Sequence, residues 1–150
     1  MSDTKWVDKI ATPAELFLAD GTALQGKLYL AGASPRHSGP QTPGELLAET
    51  ESMLPFHLTD GSFVLVGKSS VAAVRVPGAE ESSDLLVQLP ARVRLSGNRR
   101  LEGNLLGERG AGERLSDLLN TPDAWVQMEE RESLCWLAKR YVVTVEPTKS

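Results

Sequence analysis

Two stretches of the chain carry the same pattern: residues 14–29 read AELFLADGTALQGKLY, and residues 91–106 read ARVRLSGNRRLEGNLL. In each stretch, apolar residues alternate with other residues on both sides of a short turn that contains glycine. Alternation with a period of two around such a turn is typical of a β-hairpin. Gly26 stands in the middle of the second strand of the first hairpin, where a sharp bend or the close approach of another backbone is expected in a small closed barrel.

The similarity between the two parts of the chain continues beyond these hairpins. The later matches are Leu46 with Leu115, Phe56 with Trp125, Leu65 with Trp136, Val66 with Leu137, Lys68 with Lys139 and Val71 with Val142. The last four pairs keep one constant spacing. Matches that keep their order through successive blocks indicate an internal duplication of the chain.

Each repeat is interpreted as five short antiparallel strands with a short helix after the second strand. Because an open sheet of so few strands leaves its edges exposed, closure into a small barrel is the expected solution. We therefore expect a mostly β protein: two tandem five-stranded small barrels, each with a short helix, packed as a pseudo-dimer. The predicted boundaries are 1–76 for the first barrel with its N-terminal lead-in, 77–83 for a linker and 84–150 for the second barrel.

Two segments, Phe63–Val66 and Leu134–Leu137, are apolar on both faces of their expected strands. A strand of this composition is usually covered on both faces. We expect both segments to form part of the seam between the repeats, through a symmetric contact that leaves few open edges. Phe17 and Tyr29 lie on the outward side of the first hairpin, and burial against the other repeat or the lead-in is expected, with a partner site as the alternative.

Composition and charge limit the classes of function. The chain has 16 Lys and Arg against 20 Asp and Glu, and its net charge of −4 disfavours a general nucleic-acid binder. Cys135 is the single cysteine, so neither an internal disulfide nor a thiolate metal cluster is expected, which fits a reducing compartment. We find no apolar signal core and no apolar run as long as a membrane helix. These features predict a cytoplasmic protein with no membrane partner.

The residues around the first turn resemble the Sm-like small barrels. The stretch LFLADGTALQGKL at 16–28 is similar to the first conserved segment of that family, and GKSSV at 67–71 and AKRYV at 138–142 are similar to the basic turn of its second segment. The resemblance implies an N-terminal helix followed by a five-stranded barrel, barrels that join edge to edge through their fourth and fifth strands, and RNA binding in some members. The segment RLSDLLN at 114–120 also resembles uncharacterised bacterial barrel domains.

No motif for catalysis or for a cofactor stands out. His37 and His57 are not at a metal-ligand spacing, and neither a nucleophile elbow nor a phosphate-binding glycine loop is present. A triad assembled from distant residues stays open, although nothing in the sequence favours one. Cys135 is expected to fill a small buried space rather than to react. We therefore expect no enzyme activity, no catalytic residue, no metal and no cofactor.

A basic strip on the second hairpin is the first candidate for partner binding. Arg92 and Arg94 stand on one strand, and Arg99 and Arg100 follow the turn. Such a strip would suit phosphate or an acidic protein surface. The alternative is a solvated face with no partner.

A polar helix face is the second candidate. Arg114, Asp117 and Asn120 stand three residues apart and would share one side of a short helix. This side is a candidate for partner recognition. The alternative is internal, with Arg114 and Asp117 as a local ion pair and Asn120 at the helix end.

These features predict a non-enzymatic interaction adaptor or assembly subunit that binds a protein partner through a sheet edge, the basic strip or the polar helix face, with homo-oligomer formation left open. The alternative function is an Sm-like RNA-binding module. The net charge disfavours that alternative, and Asp117 and Asn120 stand one residue closer together than the base-binding pair of the RNA-binding Sm members.

Overall fold

The hairpins predicted from the two similar stretches are present in the protein. A computed structural model describes residues 9–32, 41–78, 86–108 and 114–148. In chain order, the elements are β1 (Lys9–Leu18), β2 (Ala23–Ala31), α1 (Pro43–Leu47), β3 (Met53–Leu58), β4 (Phe63–Gly67), β5 (Val71–Pro77), β6 (Leu86–Leu95), β7 (Arg99–Glu108), α2 (Leu115–Leu119), β8 (Trp125–Glu129), β9 (Ser133–Ala138) and β10 (Val142–Pro147). A single turn of 3₁₀ helix precedes β5 and another precedes β10, at Lys68–Ser70 and Lys139–Tyr141.

The hairpin turns form where the sequence places residues that tolerate positive φ. Gly21 has a φ of 96°, and the backbone N–H of Thr22 donates to Oδ1 of Asp20 at 2.9 Å. In the second hairpin both central residues are left-handed, with φ values of 81° at Gly97 and 61° at Asn98. Two successive positive φ values give a turn whose twist matches that of the flanking strands.

The two short helices occupy matching places, after the second strand of each set of five. Thr42 caps α1: its hydroxyl accepts from the N–H of Glu45, whose carboxylate accepts from the N–H of Thr42. After each helix a matched lysine binds a backbone carbonyl. Lys68 Nζ donates to the carbonyl of Glu49 at 2.9 Å, and Lys139 Nζ donates to that of Thr121 at 3.1 Å.

All ten strands belong to one antiparallel sheet, in the order β10-β6-β7-β8-β9-β5-β1-β2-β3-β4. The protein is therefore mostly β, as predicted. The expectation of two closed five-stranded barrels is wrong. The fifth strand of the first set, β5, pairs with β1 on one side and with β9 of the second set on the other, so the sheet runs on and ends at two open edges.

The seam between the two sets of strands differs from the expected one. Val74 of β5 lies opposite Trp136 of β9, so the segment Leu134–Leu137 does form part of the seam. The segment Phe63–Val66 does not, because β4 is the last strand at the far edge. The contact joins a fifth strand to a fourth strand, so it is head-to-tail rather than symmetric.

The seam brings each set of strands into the core of the other. Leu134 and Trp136 of β9 pack in the core formed mainly by β1–β5 and α1. Phe17 of β1, as predicted, is buried against the second set, in the core formed mainly by β6–β10 and α2. Because each core is completed from the other side, the two sets of strands stabilise one another across the seam.

The predicted division of the chain stays a prediction. Residues 1–8 of the lead-in and residues 79–83 of the linker lie outside the described residues. Strand β1 begins at Lys9, so residues 9–12 are part of the first strand.

Candidate functional site

Strands β4 and β10 form the two ends of the sheet. Strand β4 pairs only with β3, and β10 pairs only with β6, among the described strands. The outer side of each strand therefore presents backbone N–H and C=O groups that no other described strand pairs with. Such an edge is a template for the addition of a further strand.

The edge strands also carry much of the exposed apolar surface. Phe63 and Leu65 of β4 are 48% and 58% exposed, and Val143 of β10 is 50% exposed. Only two other large apolar side chains of the described chain, Ile10 and Met53, are comparably exposed. The exposed apolar surface is thus concentrated at the two edges.

The counterparts of these three residues in the seam are buried. The sequence comparison matches Phe63 with Leu134, Leu65 with Trp136 and Val143 with Ala72, whose exposures are 8%, 6% and 1%. Ala72 and Val143 each fall where the pairing of the fifth strand with its neighbour shifts register, which supports the match. The same positions are therefore apolar in both places and covered only at the seam.

An ion-pair cluster that includes Arg75 of β5 crosses the seam. Arg75 of β5 forms a two-pronged pair with Glu130, with Nε–Oε1 and Nη2–Oε2 distances of 2.8 and 2.9 Å. Its third nitrogen, Nη1, lies 3.0 Å from Oε1 of Glu15. Burial acts to raise the pKa of Glu130, but hydrogen bonds from Arg75 and Cys135 hold that pKa below its ordinary value.

Cys135 belongs to this cluster and is buried, as predicted. Its Sγ lies 2.8 Å from Oε1 of Glu130, to which it donates. Burial, followed by the hydrogen bond to the Glu130 carboxylate, raises the pKa of the Cys135 thiol well above its ordinary value. A protonated buried thiol is a poor nucleophile.

The basic strip is only partly assembled. Arg92 is ion-paired, 3.1 Å from Glu102 and 3.9 Å from Glu146. Arg94 lies on the same face, opposite Arg100 of β7. The side chain of Arg99 leaves the strip: its guanidinium lies 4.4 Å from the centre of the Phe17 ring.

The polar helix face has the internal contacts of the alternative interpretation. Nε of Arg114 lies 3.3 Å from Oδ2 of Asp117, and the backbone N–H of Arg114 donates to the same oxygen at 3.1 Å. Asn120 follows the last residue of α2, and its N–H donates to the carbonyl of Ser116. Arg114 and Asn120 remain exposed, so the role of this face in partner binding stays a prediction.

No group of three or more His, Cys, Asp and Glu side chains in the described parts of the chain is placed to hold a metal ion. His57 is engaged with Tyr29, whose hydroxyl lies 2.7 Å from Nδ1 of the imidazole, and its ring lies 5.1 Å from that of Phe63. Tyr29 is half-buried and lies beside His57, outside the seam. His37 lies outside the described residues.

Comparison of the chain with protein-family models, with curated proteins and with solved structures found no match. In the part of the chain that the structure describes, no helix has the length and apolar character needed to cross a membrane.

The exposed edge residues and the cross-seam ion pair were not predicted from the sequence. The composition of their strand, which is apolar on both faces, predicts Phe63 and Leu65 in the seam, and the prediction does not include Val143. The match between the two parts of the chain does contain a signal for Val143. This residue is larger and more apolar than Ala72, which occupies the same position in the other part. No local pattern indicates the Arg75–Glu130 pair, whose members stand 55 residues apart in sequence.

Proposed function

We propose that the protein arose by duplication of a five-stranded unit and serves as a non-enzymatic assembly subunit, joining further copies of itself edge to edge. The observation that carries the proposal is the position of Phe63, Leu65 and Val143. All three are exposed on the edge strands, and their matched residues are buried in the seam. An apolar surface at an open sheet edge is a liability in a monomer and is typical of an interface.

The head-to-tail seam supports a second copy as the partner. Inside the chain, a fifth strand (β5) pairs with a fourth strand (β9). The strands left open are the other fourth strand, β4, and the other fifth strand, β10. A heterologous contact of this kind leaves complementary surfaces at both ends, so copies can add until a ring closes or a filament extends.

The seam also supplies a register for the joint between copies. Val74 lies opposite Trp136 and Ala73 lies opposite Leu137 in the seam. Transferred to the matched residues, this register places Val145 of one copy opposite Leu65 of the next. Such pairing would cover Leu65 in the way that β5 covers Trp136.

The joint between copies is proposed to be weaker than the seam. The position of Arg75 in β5 is taken by Glu146 in β10, so the ion pair of Arg75 with Glu130 has no equivalent there. Backbone hydrogen bonds and apolar burial would have to hold the joint. Burial of one large apolar side chain contributes about 1.5 to 3 kcal/mol, so we expect association that depends on protein concentration.

Sedimentation of variants tests the proposal. Leu65→Lys and Val143→Lys each place a charge on one edge, and loss of apolar burial should weaken association by roughly tenfold to a hundredfold. Ile10→Lys is the control, because Ile10 is 44% exposed and lies on neither edge strand. A mixture of Leu65→Lys with Val143→Lys should stop at dimers, since each variant keeps one intact edge. A wild-type protein that is monomeric at all concentrations would contradict the proposal.

A further inference from the structure

The outer surface of β6 carries two neighbouring cross-strand rows, and in one of them the arginine is ion-paired. In that row Arg92 lies between Glu102 of β7 and Glu146 of β10. The guanidinium approaches both carboxylates, at 3.1 and 3.9 Å. Both acidic groups are therefore already engaged by one cation.

The next row, which we call the arginine row, has no acidic group. Arg94 lies between Arg100 of β7 and Thr144 of β10. Neither guanidinium group makes a hydrogen bond or an ion pair with any residue that the structure describes. Like charges directly opposite each other on neighbouring strands are about 5 Å apart at Cβ and destabilise the sheet.

The arginine row is charged where the matched row of the first hairpin is apolar. The matched residues are Phe17 for Arg94, Ala23 for Arg100 and Ala73 for Thr144. Phe17 and Ala73 are buried in the second core, whereas Arg94 is half-buried and Arg100 is exposed. Two positive charges have therefore been placed together at a site that is accessible from solvent.

The surface at this point is concave. A depression of about 370 Å³ is lined by Arg92, Arg94, Arg100, Leu101, Glu102, Thr144 and Glu146. We propose that Arg94 and Arg100 bind a doubly charged phosphate group in this depression, with the hydroxyl of Thr144 as a further donor. Guanidinium groups bind phosphate oxygens through paired N–H donors, and such charge-assisted bonds are stronger than neutral ones.

The charge of the site favours a phosphomonoester over a phosphodiester. The two guanidinium groups of the arginine row, which have no ion-pair partner among the described residues, match a group that carries about −1.5 to −2 charges at neutral pH. Glu102 and Glu146 line the same depression, so a ligand must outweigh their repulsion. A nucleic-acid backbone offers one charge per phosphate and needs a longer basic track than this row provides.

The two sources of such a group are a free phosphate compound and a phosphorylated side chain of a partner protein. Titration calorimetry at constant ionic strength distinguishes them, with inorganic phosphate in one arm and a short phosphoserine peptide in the other. Sodium acetate tests a singly charged oxyanion. A single-stranded RNA without terminal phosphates tests the diester.

Charge variants test the residues themselves. Arg94→Gln and Arg100→Gln should each weaken phosphate binding tenfold or more, whereas Glu102→Gln should tighten it by removing a nearby negative charge. Arg131→Gln is the matched control, because Arg131 is exposed on the turn between β8 and β9, outside the depression. In buffer without phosphate, Arg94→Gln should raise the unfolding temperature by relieving repulsion from Arg100.

The proposal predicts binding of phosphate or phosphoserine in the wild type, loss in both arginine variants and no change in the control. Equal effects of Arg131→Gln and Arg94→Gln would overturn it, since general surface charge would then explain the binding. So would tighter binding of the RNA than of phosphate, which would favour nucleic-acid recognition instead. Failure of both inorganic phosphate and the phosphoserine peptide to bind would also overturn it.

Discussion

Arg75 and Glu130 join the two parts of the chain through two parallel hydrogen bonds of 2.8 and 2.9 Å. Arg75 belongs to β5 and Glu130 to the turn between β8 and β9, so the pair crosses the seam. Both side chains are largely shielded, at 28% and 17% exposure. Screening by solvent is weaker at such positions than at an open surface, so this pair contributes to the stability of the seam.

Removal of the Glu130 charge should destabilise the fold and reduce its sensitivity to acid. Glu130→Gln should cost about 2 kcal/mol at neutral pH, since a charge-assisted pair is lost. The pKa of Glu130 is held below its ordinary value of 4.5 in the folded state. Its contribution is therefore present above pH 4.5 and disappears as the pH falls through the lower, folded value. Urea unfolding of both proteins as a function of pH measures the difference.

The stability difference between the variant and the wild type isolates the pH dependence that is due to Glu130 from the pH dependence that is due to other acidic groups. Hydrogen bonds from Thr22 and from Ser62 lower the pKa values of Asp20 and Asp60, and both residues are unchanged in the variant. The stability difference between the two proteins should therefore shrink as the pH drops below 4.5. A difference that stays constant down to pH 2 would show that the charge of Glu130 is not what stabilises the seam.

Gly26 allows β3 to cross β2 closely. A Cβ atom built at Gly26 would lie 1.8 Å from the carbonyl oxygen of His57, and one at Gly103 would lie 2.4 Å from that of Glu129. Both obstacles are backbone atoms, so the sheet itself would have to move. Gly26→Ala should destabilise the protein by about 1 to 3 kcal/mol, as overpacked sites do.

Gly67→Ala is the control for that substitution. At Gly67 the nearest atom to a built Cβ is the Ser70 hydroxyl oxygen, at 3.7 Å, and the backbone has no positive φ. Its thermal unfolding should match that of the wild type. Equal stability of Gly26→Ala and Gly67→Ala would mean that close strand crossing is not required at Gly26.

Local features of the fold were predictable from the sequence. Alternation of apolar residues placed the strands, and Asp20-Gly21 and Gly97-Asn98 placed the first turn of each set. Gly26 was expected at a sharp bend or at the close approach of another backbone, and the distance to the His57 carbonyl oxygen shows a close approach. Each of these features depends on residues near one another in the chain or on one backbone conformation.

The choice of the strand that pairs with the open side of β5 was not predictable in the same way. Strands β4 and β9 are both apolar on both faces, so their composition does not show which of them pairs with β5. That choice depends on contacts between distant residues, such as Arg75 with Glu130 and Phe17 with the second core. The side of β5 that does not pair with β1 pairs with β9 and not with β4. Strand β4 therefore stays at the edge of the sheet, and its residues Phe63 and Leu65 are exposed.

Intermolecular disulfide formation between Leu65→Cys and Val145→Cys tests edge-to-edge assembly most directly. Directly opposed residues of antiparallel strands lie about 4.5 to 5.5 Å apart at Cα, within reach of a disulfide. Cys135 does not interfere, because its buried thiol has a raised pKa. Mixing the two variants under mild oxidation should give a linked dimer rapidly, whereas Ile10→Cys mixed with Val145→Cys should not. Equal yields from the two mixtures, or no linked dimer in either, would contradict the proposed joint.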